Sequence, residues 1–160
     1  PASVRSVGEA VMAADRLLET AKAQADAQVS ERNAREKAEL MRQLGMDEGE
    51  SATKASRTMI RQLEEDQKRR SKRALTDAID RALIDLLAIY RDVLMVQVGG
   101  DGELINTDLS DLVHQIAQDS TPRQTLARVD HIETARKRLV SNGNPLLVLE
   151  DMAISLRPQA

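Results

Sequence analysis

Apolar and polar positions recur with helical period along nearly the whole chain. Val4, Val7, Val11, Ala14, Leu18, Ala21 and Ala25 stand at alternating steps of three and four. That spacing predicts a helix with a narrow apolar seam over about three heptads. From Asp26 to Lys37 the seam thins to Val29 and Ala34 among charges. Here Glu31–Arg35, Arg32–Glu36 and Arg35–Glu39 stand at the i,i+4 spacing that supports a solvated helix. Leu40, Met41 and Leu44 close the segment, Gly45 suits the left-handed position just past a helix end, and Met46 to Ser51 reads as a turn.

A second helix is predicted from near Ser51 to Gly99, with no proline or glycine to interrupt it. At 1.5 Å per residue it would be on the order of 70 Å long. Its second half, Ala74 to Val98, is the apolar centre of the chain. Leu75, Ile79, Leu83, Leu86, Tyr90, Val93, Leu94 and Val98 line one face, and Ile84, Leu87, Ile89 and Met95 widen the stripe. A helix apolar on most sides needs cover on most sides, so this one is central. Asp77–Arg81 and Arg81–Asp85 are its expected i,i+4 pairs. Counted outward from a turn near 47, residues 4–25 fall opposite about 70–91 and the charged 26–39 opposite 56–69. The expectation is an antiparallel hairpin with a packed base and a polar arm.

Gly99, Gly100 and Gly102 end the central helix. A short helix follows from near Thr107 or Asp108, carrying Leu109, Leu112, Val113 and Ile116. Thr121-Pro122-Arg123-Gln124 is a start signal: Thr121 as N-cap, proline at the first helical position, Gln124 completing a capping box. That helix shows Leu126, Val129, Ile132, Ala135, Leu139 and Val140 and ends at Ser141-Asn142-Gly143. Asn144 and Pro145 cap the last helix, with Leu146, Leu149, Met152, Ile154 and Leu156. The fold class is all-α: a helical bundle on a long antiparallel hairpin plus three shorter C-terminal helices. The expected division is 1–50, a long helix and turn, and 51–160, the central helix with a C-terminal helical domain.

Composition narrows the function classes. One tyrosine and no phenylalanine or tryptophan leave the core to aliphatic residues, which favours helices over sheets. A net charge of −3 gives no global pull toward nucleic acid or anionic membranes. The absence of cysteine excludes disulfides and thiolate metal sites and fits a reducing cytoplasm. No apolar run approaches the roughly 18 residues of a membrane span. The start, PASVRSVGEA, lacks the layout of a signal peptide and enters helical pattern at once, as expected of a piece of a longer protein.

The candidate chemistry is sparse. Lys68, Arg69, Arg70, Lys72 and Arg73 form a basic patch that could grip phosphates. Glu64, Glu65 and Asp66 precede the first three by four residues, so a self-neutralising helix surface is the expected reading. No aromatic platform for stacked bases accompanies the run. His114 and His131 lack companion carboxylates at ligand spacing. Asp101, Glu103, Asp108 and Asp111 surround a turn but miss the EF-hand pattern. The glycines at 99–102 follow a helix, not a strand, so they form no phosphate loop. Ser51 and Lys54 match a β-lactamase-like spacing without its companion motifs. No nucleophile–base–orienter set is present. The expectation is a non-enzyme without cofactor, metal or small-molecule substrate.

The wording from the central helix onward resembles the C-terminal collar region of the delta-prime subunit of bacterial DNA polymerase III, most of all in its high-GC Gram-positive versions. Carrying the resemblance are Arg81-Ala82-Leu83-Ile84-Asp85-Leu86, Tyr90-Arg91-Asp92-Val93-Leu94 and Leu104-Ile105-Asn106 with Asp108. Ile132, Arg136, Leu139, Asn142, Asn144-Pro145, Leu147, Leu149-Glu150 and Met152 follow in order, and Leu63-Glu64 with Gln67-Lys68 suits the same family. It covers residues 60–156 well and 1–26 loosely, while 27–58 departs from the shorter pattern of the family.

That family is the sliding-clamp loader, whose subunits carry two ATPase-type domains and a helical third domain. The resemblance implies that this chain is such a third domain, and that it helps hold the pentamer that loads the clamp in DNA replication. The implied partners are the tau/gamma and delta subunits, met through their own third domains in the bacterial cytoplasm, with DNA touched only indirectly or weakly. Tyr90, Arg91 and Asp92 are the candidate interface or interface-supporting residues, and Thr121, Asn144 and Pro145 are structural caps. Two other readings stand beside it: a helical module that homodimerises through the 4–25 seam, and a nucleic-acid binder using 67–73.

Overall fold

The computed structural model describes residues 6–45, 53–100 and 102–157. These residues form no strand. In order they build α1 (Val7–Gln43), α2 (Lys54–Gln97), a 3-10 turn (Thr107–Leu109), α3 (Ser110–Gln118), α4 (Pro122–Val140) and α5 (Pro145–Ser155). This is the all-α class, with two long helices and three short ones. Val4, the turn Met46–Ser51 and Asp101 lie outside the described residues.

Local chemistry sets the helix ends. Ser6 and Glu9 form a capping box at the start of α1: the Ser6 hydroxyl accepts from the Glu9 amide at 3.1 Å, and the Glu9 carboxylate accepts from the Ser6 amide at 3.2 Å. The Thr53 hydroxyl accepts from the Ser56 amide at 3.1 Å and opens α2. Gly45 (φ 62°) and Gly99 (φ 68°) take the left-handed turn past α1 and α2 that a side chain would strain. Gly100 then donates to the Met95 carbonyl at 2.9 Å, satisfying the end of α2. Asn142 (φ 63°) plays the same part after α4.

The chain divides into two compact units, with breaks between Thr20 and Ala21 and between Ala78 and Ile79. The first unit holds the start of α1, the second half of α2 and all three short helices. Its core is Ala10, Ala14 and Leu18 from α1, and Ile79, Leu83, Tyr90 and Val93 from α2. Val113 and Ile116 of α3, Ile132, Ala135 and Leu139 of α4, and Val148, Leu149 and Met152 of α5 complete it. The second unit is an antiparallel pair made of the rest of α1 and the first half of α2. Its apolar centre is small: Ala25, Val29 and Ala74, with Leu75 packed beside them.

Polar bridges hold that pair in register. Lys37 meets Glu64 at 3.1 Å. Gln67 donates to the Asn33 carbonyl at 2.8 Å. Arg70 donates to the Asn33 side chain at 2.7 Å and to Glu36 at 2.9 Å. The register differs from outward counting about residue 47, which would set Lys37 near residue 58. Small apolar residues fit one another at several offsets, so the long-armed polar pairs decide among them.

Candidate functional site

Tyr90, Arg91 and Asp92 come from the last turns of α2, where the wide apolar stripe meets the segment leading to the 3-10 turn. The Asp92 side chain is fully buried. One carboxylate oxygen accepts from the Ile105 amide at 3.1 Å, and the other from the Asn106 amide at 2.8 Å and the Asn106 side chain at 2.9 Å. Arg91 donates to Asp92 at 2.8 Å and to the Glu103 carbonyl at 3.2 Å. Burial alone would raise this carboxyl. The Asn106 and Ile105 amides, with Arg91 and the Asn106 amide group, outweigh burial and hold it at about 2. Asp92 thus staples residues 103–106 to α2 from inside, and Arg91 clamps the staple from outside.

Tyr90 is buried and faces another way. Burial pushes its hydroxyl up, and the Arg128 charge pulls it back slightly. With Leu86 it floors a groove of about 570 Å³ between α1, α2 and α5. Met12 and Leu17 form one wall and Met152 and Leu156 the other, while Glu9 and Arg16 give the α1 side a polar margin. Leu86 is therefore a half-exposed groove residue, whereas Leu83, one turn earlier, is wholly buried. An apolar recess rimmed by charge suits an apolar partner surface.

Long-range polar contacts brace this unit. Arg136 of α4 grips Asp80 of α2 with two bonds, 2.6 and 3.1 Å. The Arg136 hydrogen bond lowers the Asp80 carboxyl against a smaller opposing effect of burial. Gln97 donates to the Ser120 carbonyl at 2.7 Å, tying the end of α2 to the end of α3. These partners lie far apart in sequence, so no local spacing points to them; Asp77 and Asp85, at i,i+4 from Arg81, show no ion pair with it. The Thr121 hydroxyl accepts from the Gln124 amide at 3.3 Å, and Gln124 accepts from the Thr121 amide at 2.9 Å. Pro122 begins α4. Asn144 accepts from the Leu147 amide at 3.3 Å, and Pro145 begins α5.

The basic patch belongs to the second unit. Its neutralisation differs from the i,i+4 pairing read from sequence. Arg70 reaches across to Glu36, Arg69 pairs with Asp66 three residues back, Glu64 serves Lys37, and Glu65 serves Arg61. The α1 seam is buried by its own chain at Ala14, Leu18, Ala21 and Ala25, whereas Val11 is half-buried and Val7 is exposed. His114 contacts the Ser110 carbonyl of its own helix at 2.8 Å, and His131 is exposed beside the buried Arg128. Among the described residues no group of histidines and acids could hold a metal ion, and no helix is long and apolar enough to cross a membrane.

Residues 52–157 match the family model for "DNA polymerase III, delta subunit, C terminal". A curated relative, the delta' protein of DNA polymerase III from Bacillus subtilis (strain 168), is 38% identical over 72 residues, which is 45% of this chain and 22% of the relative. The chain thus matches about a fifth of that relative's length. No solved structure matches the chain.

Proposed function

The chain belongs to the family formed by the C-terminal domains of DNA polymerase III delta subunits, and we propose that it is the collar domain of a delta-prime-type member of the clamp loader. The family match across 52–157 carries this reading. The choice of delta-prime over delta rests on the name of the relative and on the wording around Tyr90–Asp92. In this role the domain is not catalytic. It holds its parent subunit in the pentamer by associating with the third domains of the tau/gamma and delta subunits, in the bacterial cytoplasm. Residues 1–50 then connect to ATPase-type domains upstream, and 51–160 form the collar proper.

Two features of the structure favour assembly over the other readings. The groove floored by Tyr90 and Leu86 offers an apolar surface with a defined margin. The seam of α1 is already covered from Ala14 to Ala25, which leaves little of the surface a seam homodimer would use. Arg69 and Arg70 of the basic patch are paired with acids, which weakens a phosphate-gripping role. Arg91 and Asp92 support the interface by fixing the segment beside it, without touching a partner themselves.

A pull-down with the partner subunits tests the proposal. Met12→Glu and Leu156→Glu, on the groove walls, are expected to weaken assembly while helicity stays unchanged. Charge reversal at Lys68, Arg69 and Arg70 is expected to leave assembly nearly intact, and ATPase activity of the chain to stay at background. Assembly lost only with the basic-patch variant would move the binding surface to the second unit.

A further inference from the structure

Four polar or charged residues are buried in the described chain: Ser56, Asp92, Thr125 and Arg128. Three have partners. Ser56 meets Thr53, Asp92 holds residues 105 and 106, and Thr125 donates to the Thr121 carbonyl. Arg128 is 8% exposed and makes no hydrogen bond or ion pair among the described residues. The one buried side-chain polar atom left without a partner among the described residues is Gln97 Oε1, so the packed part of Arg128 is its stem, while its guanidinium reaches the surface with its donors uncommitted.

Its surroundings show where a partner would sit. Arg128 lines a recess of about 260 Å³ between α4 and the end of α5. The other lining residues are Gln124, Ala127, His131, Ser155 and Arg157, so two guanidiniums and an imidazole face the space with no acid among them. Arg157 is held in place by a bond from its Nε to the Ile154 carbonyl, 3.1 Å. The buried base of Arg128 fixes its fork, and a fixed guanidinium fork matches a planar carboxylate with two parallel bonds.

We propose that this recess is a receptor for a single carboxylate, supplied by an acidic side chain of a neighbouring protein in the clamp loader. Its size suits one such group and not a track of phosphates. The identity of the partner rests on the collar reading above; the carboxylate chemistry does not. Docking would give Arg128 the counter-charge it lacks in the chain alone, and the bond would form away from water, where charge-assisted pairs are strongest.

The test uses the whole chain with Arg128→Met, which keeps the packed stem and removes the charge, and Arg128→Lys, which keeps the charge and loses the fork. Because methionine keeps the packed stem and the lost charge has no partner among the described residues, Arg128→Met is expected to leave the melting temperature close to that of the parent. Sodium acetate is expected to shift the Arg128 Nε–H resonance saturably, with sodium chloride at equal ionic strength giving no such response. Affinity for the other clamp-loader subunits is expected to fall by about tenfold or more in Arg128→Met, and only partly recover in Arg128→Lys. Absence of the acetate response, a lowered melting temperature in Arg128→Met, or unchanged partner affinity would each overturn the proposal. If the parent chain binds none of the clamp-loader subunits while acetate still saturates the site, the collar reading fails and the carboxylate site stands.

Discussion

Among single residues, Asp92 carries the greatest structural weight of the three candidates on α2. Its carboxylate accepts from two backbone amides, those of Ile105 and Asn106. Asp92→Ala is expected to cost about 2–4 kcal/mol in urea unfolding, because three hydrogen bonds to a buried carboxylate and its Arg91 contact are lost together. The acid dependence has a definite sign. The folded carboxyl lies at about 2 against an ordinary 3.8, so its contribution is fully present above pH 4 and is lost as pH falls toward 2. Asp92→Asn is expected to flatten that limb in an acid titration of stability. Glu36 is also held at about 2, first by its hydrogen bond from Arg70 and then by Arg32. Its part of the acid limb is expected to shrink in high salt, because that cluster is open to solvent.

Among the helices, most of the fold was legible from periodicity and caps. The helical seam of α1, the wide stripe of α2 and the start signals at Thr121 and Asn144 each rest on residues close together in sequence, where spacing alone specifies geometry. The register of the hairpin was not legible, because alanine-rich faces accept several offsets and the deciding contacts, such as Arg70 with Asn33, join distant positions. The same limit applies at the candidate site. Tyr90, Arg91 and Asp92 stand out in the sequence, but the staple to Ile105 and Asn106 and the unpaired state of Arg128 depend on tertiary neighbours. Leu83→Asp tests which face of α2 is the core. It is expected to be severely destabilising, by about 3 kcal/mol or more, since it buries a carboxylate without a partner. Glu64→Ala, at an exposed cross-hairpin pair, is expected to change stability by only tenths of a kcal/mol. Thr121→Ala is expected to cost about 1 kcal/mol by removing the cap of α4. Thermal melts of the three variants check this order.

Across the whole molecule, the two units differ in what holds them. The first has aliphatic residues from five helices around Leu83 and Val93, and the second has only alanines and Val29 as its buried apolar residues, with a set of solvent-facing ion pairs. Amide hydrogen exchange is expected to be faster over residues 27–43 and 54–68 than over 79–94, because local opening exposes little apolar surface in the former. Equal protection would mean that the polar bridges of the second unit are worth more than exposed pairs usually are. The proposed assembly role requires that the chain capture its partners in solution. Sedimentation velocity of the chain mixed with the third domains of the tau/gamma and delta subunits is the sharpest test. The expected result is a faster-sedimenting complex in the mixture while each component alone stays small, with the complex reduced by Met12→Glu and Leu156→Glu. Components that sediment independently at every ratio would contradict it.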